Sequence, residues 1–168
     1  MADTGEATTL NSRAFRNVMG LFATGVTVVA AEAEGEIHGM TANAITSVSL
    51  EPMLVLVCVQ KNAHMAGVLR QSGQFSINIL DEGGADLSNF FAGIWTKPEP
   101  PPFTFEPWIG GPRLQGAIGC VGCKITEFYE GGDHWIIIAE VIALYRPEAP
   151  ANPLLYYMGR YRKLASEM

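Results

Sequence analysis

Two long β-patterned runs, Leu114 to Tyr129 and His134 to Tyr145, are joined only by Glu130-Gly131-Gly132-Asp133. Apolar runs of that length, linked by a glycine-rich turn, commit a chain to antiparallel pairing. Shorter β-branched runs precede them: Val26–Ala31, Ile37–Asn43, Thr46–Leu50, Met53–Val59 and Phe75–Leu80. Glu32 to Glu36 around Gly35 reads as a hairpin turn, and Pro52 separates two of the runs. In the last run Phe75, Ile77 and Ile79 alternate with Ser76 and Asn78, which predicts one face for each set.

The helices predicted are few and short. Asn11 or Ser12 caps the first. Its apolar residues Phe15, Val18, Met19 and Phe22 share one face, and Gly25 closes it. Asn62 caps a second helix through Arg70, with Met65, Ala66 and Leu69 inward and Gly73 at its end. Ala85–Ala92 suits a third. Many strands with few short helices predict a mainly β fold, a closed antiparallel barrel. With 168 residues, one domain over 11–168 is expected, behind a disordered stretch over 1–10.

Apolar residues make up 48% of the chain and charged residues 17%. The low charged fraction favours an oligomer, which needs less charged surface per chain. The net charge of −6 argues against nucleic acid as a partner. No apolar run approaches the roughly 20 residues that cross a bilayer. The opening MADTGEATTLNSR is polar and acidic, unlike a secretory signal. A cytoplasmic setting is expected.

The usual reactive constellations are missing. No phosphate loop, GxGxxG, nucleophile elbow or HExxH is present, and His38, His64 and His134 lie far apart in sequence. Asp133 and His134, as strand neighbours, should point apart and form no triad. Cys120 and Cys123 are spaced C-x-x-C, but no second ligand pair completes a zinc site. On a strand the two thiols diverge, so they are read as structural. Cys58 reads as a small buried hydrophobe. Gly93–Pro112 carries six prolines with Trp95, Phe103, Phe105 and Trp108. It is a long loop, either a lid or an aromatic-anchored crossover. A chain with no evident acid, base, nucleophile or metal suggests a cofactor that does the chemistry. The segment His38–Val59 offers it a wall: Thr41, Ala42, Asn43, Thr46, Ser47 and Ser49 are small and polar and run into an apolar strand.

Five segments in order resemble the flavin reductase-like family with an FMN-binding split β-barrel. They are FRNVMGLFATGVTVVAA, GMTANAITSVSLEPMLVLVCVQKN, SGQFSINIL with DLSNFFA, GGDHWIIIAEV and PLLYYMGRYRKL. Together they span Phe15 to Leu164. The resemblance implies a Greek-key split barrel and hydride transfer from NADH or NADPH to FMN or FAD. It implies a homodimer, and reduced flavin supplied by diffusion to a flavin-dependent monooxygenase. It places the flavin on Met40, Thr41, Ala42, Asn43, Ser47, Val48, Ser49, Cys58, Val59, Gln60 and Lys61. His134, Gly159, Arg160 and Tyr161 would hold the nicotinamide, with His134 the catalytic candidate. No metal is implied. Two rival readings stay open: a non-catalytic flavin carrier, and a barrel for another ring cofactor such as haem or a deazaflavin.

Overall fold

The computed structural model describes residues 9–149 and 151–165. The expectation for residues 1–10 therefore falls almost wholly outside the described residues. The fold is mainly β with three short helices among those residues. In order the elements are α1 (Ser12–Met19), β1 (Thr24–Gly25), β2 (Thr27–Ala33), β3 (Glu36–Ala42), β4 (Ile45–Leu50) and β5 (Met53–Gln60). There follow α2 (His64–Ser72), β6 (Gln74–Ile79), α3 (Ala85–Phe91), β7 (Phe105–Glu106) and β8 (Arg113–Leu114). The long hairpin of β9 (Gly119–Gly131) and β10 (His134–Tyr145) comes next, then β11 (Leu155–Tyr157) and β12 (Arg160–Arg162).

Seven strands form one antiparallel sheet in the order β3-β2-β6-β9-β10-β5-β4. Its two edges, β3 and β4, are consecutive in the chain, with only Asn43 and Ala44 between them. Three virtual bonds reach no more than about 11 Å. The sheet therefore curls until its edges come together at that link. Inside the curl lies the larger core, with Val29, Val57, Val59, Leu69, Phe75, Cys123 and Ile137. A smaller core of Val26, Val28, Leu80, Leu114 and Leu154 lies apart from it, with α3's Leu87 and Phe91 packed on it. Adjacent Val28 and Val29 serve different cores because strand side chains alternate.

Turn chemistry sets the register. Glu34 and Gly35 join β2 to β3 with φ of 54° and 80°, so Ala33 faces Glu36. Positive φ at both central residues is the type I′ geometry that hairpins favour. Met158 and Gly159 repeat it between β11 and β12, at 50° and 73°.

Several elements differ from the sequence expectation. α1 is capped by the Asn11 side chain as expected but ends at Gly20, not Gly25. The apolar face expected of it is not buried: Phe15 is 62% exposed and Phe22, just past its end, 71%. α2 starts at His64 behind Ala63, without a side-chain cap, so Asn62 does not cap it. Leu114–Tyr129 is not one strand, because the chain turns at Gly116 (φ 80°) before β9 begins. β6 buries both its faces: Phe75, Ser76, Ile77 and Asn78 are all buried. Its polar face is covered by the end of the proline-rich loop. The Asn78 amide donates to Val28 O (3.1 Å) and Ser76 Oγ (2.8 Å), and its oxygen accepts from Leu114 N (2.8 Å). The Ser76 hydroxyl donates to Pro112 O. Gly111 lies so close that a Cβ there would come 2.4 Å from Ser76 N. Phe103 and Phe105 pack on Phe90 and Phe91 of α3. This is the aromatic-anchored crossover of the two expected readings.

Candidate functional site

The curl leaves a gap. β4 pairs with β5 only as far as Ile45 opposite Val57. Beyond it Cys58, Val59 and Gln60 run on with no β4 partner, and Cys58 N donates to Ala44 O at 3.0 Å. On the far side β3 is an edge strand paired only with β2. The two strands therefore part from the Asn43–Ala44 link like the arms of a V. A cavity of about 390 Å³ occupies the mouth.

Its walls are Met40, Thr41, Ala42, Asn43 and Ala44 on one arm, and Cys58, Val59 and Gln60 on the other. Ala63 before α2, Phe91 and Ala92 at the end of α3, and His134 complete it. Eight of the residues expected at the site are thus brought together: Met40, Thr41, Ala42, Asn43, Cys58, Val59, Gln60 and His134. Ala44, Ala63, Phe91 and Ala92 were not singled out from sequence. Small and apolar side chains carry no local signal of a site, and only the curl brings them to it.

The other expected residues lie elsewhere. Ser47, Val48 and Ser49 sit on β4 past the link, where Val48 is the extra residue of a bulge between Ser47 and Ser49. The Lys61 ammonium lies 3.6 Å from Glu130 and 4.9 Å above the Trp135 ring. Gly159, Arg160 and Tyr161 belong to the β11–β12 hairpin, which pairs with β1. The Tyr161 hydroxyl is 2.9 Å from both Ser88 Oγ and Asn89 Oδ1 of α3.

Within the cavity the polar groups are differently committed. The Thr41 hydroxyl donates to Ser88 O at 2.7 Å. The Asn43 amide donates to Thr24 Oγ1 at 3.1 Å, which leaves its oxygen acceptor open. As an edge, β3 also keeps alternate backbone N–H and C=O groups unpaired by strand. Cys58 is half-buried, not buried as expected, because it faces opposite to Val57 and Val59; burial still pushes its thiol up.

Asp133 and His134 do not point apart. Asp133 lies in the turn, before β10 begins, so strand alternation does not govern it. His134 Nδ1 is 2.7 Å from Asp133 Oδ1. A carboxylate can only accept, so Nδ1 donates to it and Nε2 lies outside that bond. The hydrogen bond from His134, and then its charge, hold the exposed Asp133 carboxyl below its ordinary range. Opposite Gln60 in register, the ring is fixed at the cavity wall.

No group of three His, Cys, Asp or Glu side chains fit to hold a metal occurs among the described residues. The C-x-x-C thiols, both buried in β9, are pushed up by burial, Cys120 to about 11 and Cys123 to about 12. They stay protonated and unreactive near neutral pH.

The cavity suits a flat ring with polar edges. Its volume falls within the roughly 300–1,000 Å³ usual for small-molecule sites. Ala42, Ala44, Ala63 and Ala92 leave room for a ring, and the edge of β3, Asn43 and Gln60 offer polar groups to its rim. The chain belongs to the flavin reductase-like family, whose "Flavin reductase like domain" profile matches residues 19–165. It is 40% identical to an NADH-dependent FAD reductase of Streptomyces globisporus, over 90% of this chain and 85% of that one. It is 39% identical to the reductase component of a 4-nitrophenol 4-monooxygenase/4-nitrocatechol 2-monooxygenase of Rhodococcus opacus, over 90% and 80%. The solved flavin reductase PheA2 in its native state superposes with a TM-score of 0.88 at 41% identity, covering 94% of this chain and all of that one. No helix among the described residues is long and apolar enough to cross a membrane.

Proposed function

We propose that this chain transfers a hydride from NADH or NADPH to FMN or FAD and releases the reduced flavin to a flavin-dependent monooxygenase. What supports it is the cleft where the sheet edges part, with His134 locked at its wall. A flavin held there by Met40–Asn43 and Cys58–Gln60 would supply the redox chemistry, as the acceptor for the nicotinamide's hydride. The chain's own part is positioning and electrostatics. The arms of the V, Met40–Asn43 and Cys58–Gln60, hold the ring plane and exclude water from one face. Backbone N–H groups of the β3 edge and the His134 ring are placed to stabilise charge on the ring's polar rim. Asp133 holds the His134 ring through Nδ1. No side chain need act as nucleophile. The relatives named above, an NADH-dependent FAD reductase and a monooxygenase reductase component, favour NADH, FAD and an oxygenase as recipient.

The curled sheet is read as a closed split β-barrel of the FMN-binding type, one domain over 11–168, working in the cytoplasm. The molecule is read as a homodimer. α1 leaves Phe15, Val18 and Met19 exposed, as is Phe22 just past its end, and Met158 of the β11–β12 turn donates from its N–H to Gly20 O at 2.8 Å beside it. Gly159 and Arg160 lie next to this apolar face, and in a dimer they can serve the nicotinamide side of a cleft. Ser47, Val48, Ser49 and Lys61 are assigned to the ribityl and phosphate end.

Purified protein mixed with NADH and FMN under nitrogen is expected to bleach the oxidised flavin band at about 450 nm, a property of the ring itself. Bleaching no faster than the protein-free control, with either nicotinamide and either flavin, would rule the reading out. Yellow protein without NAD(P)H oxidation would mark a flavin carrier instead.

A further inference from the structure

Among the described residues Phe91 is the one phenyl ring on the cavity wall, and its place is fixed from several sides. Against β3, Gly39 leaves it room: a Cβ at 39 would lie 2.5 Å from Phe91 Cε1. Phe90, Phe103 and Phe105 hold the ring at centroid distances of 5.1, 5.0 and 5.9 Å. Ser88, one helical turn earlier, shares the face that meets β3. There its carbonyl accepts from Thr41, two residues along β3 from Gly39. Helix spacing and strand spacing thus match at two points, Ser88 on Thr41 and Phe91 on Gly39.

A third tie comes from outside the cleft. The Tyr161 hydroxyl bridges Ser88 Oγ and Asn89 Oδ1, both at 2.9 Å. Ser88 is fully buried, so no water replaces that partner cheaply. Tyr161 packs on the smaller core and does not line the cavity. Displacing a wall by about 1 Å is enough to cost on the order of 100-fold where two rings must stack.

We propose that Phe91 is the side chain that shapes the cleft against the flavin ring, and that Tyr161 is a positioning residue acting through it. This rests on the flavin-binding reading. Tyr161 then serves the site by setting the seat of α3, without touching nicotinamide.

The test is a double-mutant cycle on the full chain: wild type, Tyr161→Phe, Phe91→Ala and the double variant. FMN affinity is read by fluorescence titration, without nicotinamide. Phe91→Ala is expected to weaken FMN by about 10-fold or more, and Tyr161→Phe by about 3- to 10-fold. The double variant should match Phe91→Ala within about twofold, since Tyr161 has nothing left to position. Additive losses, or a Tyr161→Phe affinity equal to wild type, would overturn the proposal. Phe91→Leu replaces Phe91→Ala in the cycle if the latter fails to fold. A flavin-free readout runs in parallel: the alkylation rate of Cys58, which lines the same cavity, by iodoacetamide. Tyr161→Phe and Phe91→Ala should each raise it, and the double variant no further. Wild-type protein that binds no FMN would defeat the flavin reading. The labelling cycle would still decide whether Tyr161 acts through Phe91, with unchanged labelling in both single variants counting against it.

Discussion

His134 owes its orientation to a neighbour in sequence that is not its neighbour on the strand. Asp133 occupies the turn, so its carboxylate curls back to hold Nδ1. The cysteines show the opposite case, polar atoms kept inert by burial. Cys120 and Cys123 have thiols raised to about 11 and about 12, against about 8.5 in an unfolded chain. A raised folded value means the folded state holds its proton more tightly. The associated stability is fully present below about 8.5 and is lost as pH rises through the folded values. Urea midpoints should therefore fall between pH 7 and pH 9.5, and the fall should shrink in a Cys120→Ala/Cys123→Ala variant. An equal fall in both proteins would show that other groups carry it.

At the scale of elements, β6 shows how a polar residue becomes structural. Alternation alone puts Ser76 and Asn78 on one face, as expected, but that face is not solvent. The proline-rich loop returns across it at Gly110–Leu114, and Asn78 joins β6, β2 and the loop through three hydrogen bonds. Asn78→Leu keeps the volume and leaves Leu114 N without its partner, while the Ser76 hydroxyl keeps Pro112 O. An unsatisfied buried group costs about 1–3 kcal/mol, so a loss of about 1–3 kcal/mol is expected in urea unfolding. A loss under about 1 kcal/mol would mean the loop does not depend on this residue. α2 shows a smaller displacement. Asn62 is a good capping type, yet Ala63 stands at the N-cap and lines the cavity, because the chain must first clear the end of β5.

For the whole molecule, the exposed apolar face at α1 and the turn after it bears on assembly. Phe15, Val18, Met19, Leu21 and Phe22 are each at least half exposed. A contiguous patch of that kind on a chain with 17% charged residues calls for a partner surface. Sedimentation is expected to give twice the chain mass of 18.2 kDa. The double substitution Phe15→Glu, Phe22→Glu should shift it toward the monomer. A monomeric wild type would contradict the dimer.

The sequence by itself determined most of the strands and most of the residues that line one cavity. Apolar alternation, glycine-bearing turns and the long hairpin are local signals, so the strands fall within a few residues of where they are expected. Met40–Asn43 and Cys58–Gln60 flank β4 along the chain, and a resemblance in sequence could pick them out together. Tertiary structure decided what local signals cannot carry. The V between β3 and β5 exists only because the sheet curls until its edges meet at Asn43–Ala44. That curl brings in Ala63, Phe91 and Ala92, whose residue types announce nothing. It also leaves Tyr161 holding α3 from outside the cleft, since a hydroxyl's partner is set by what the fold lays against it.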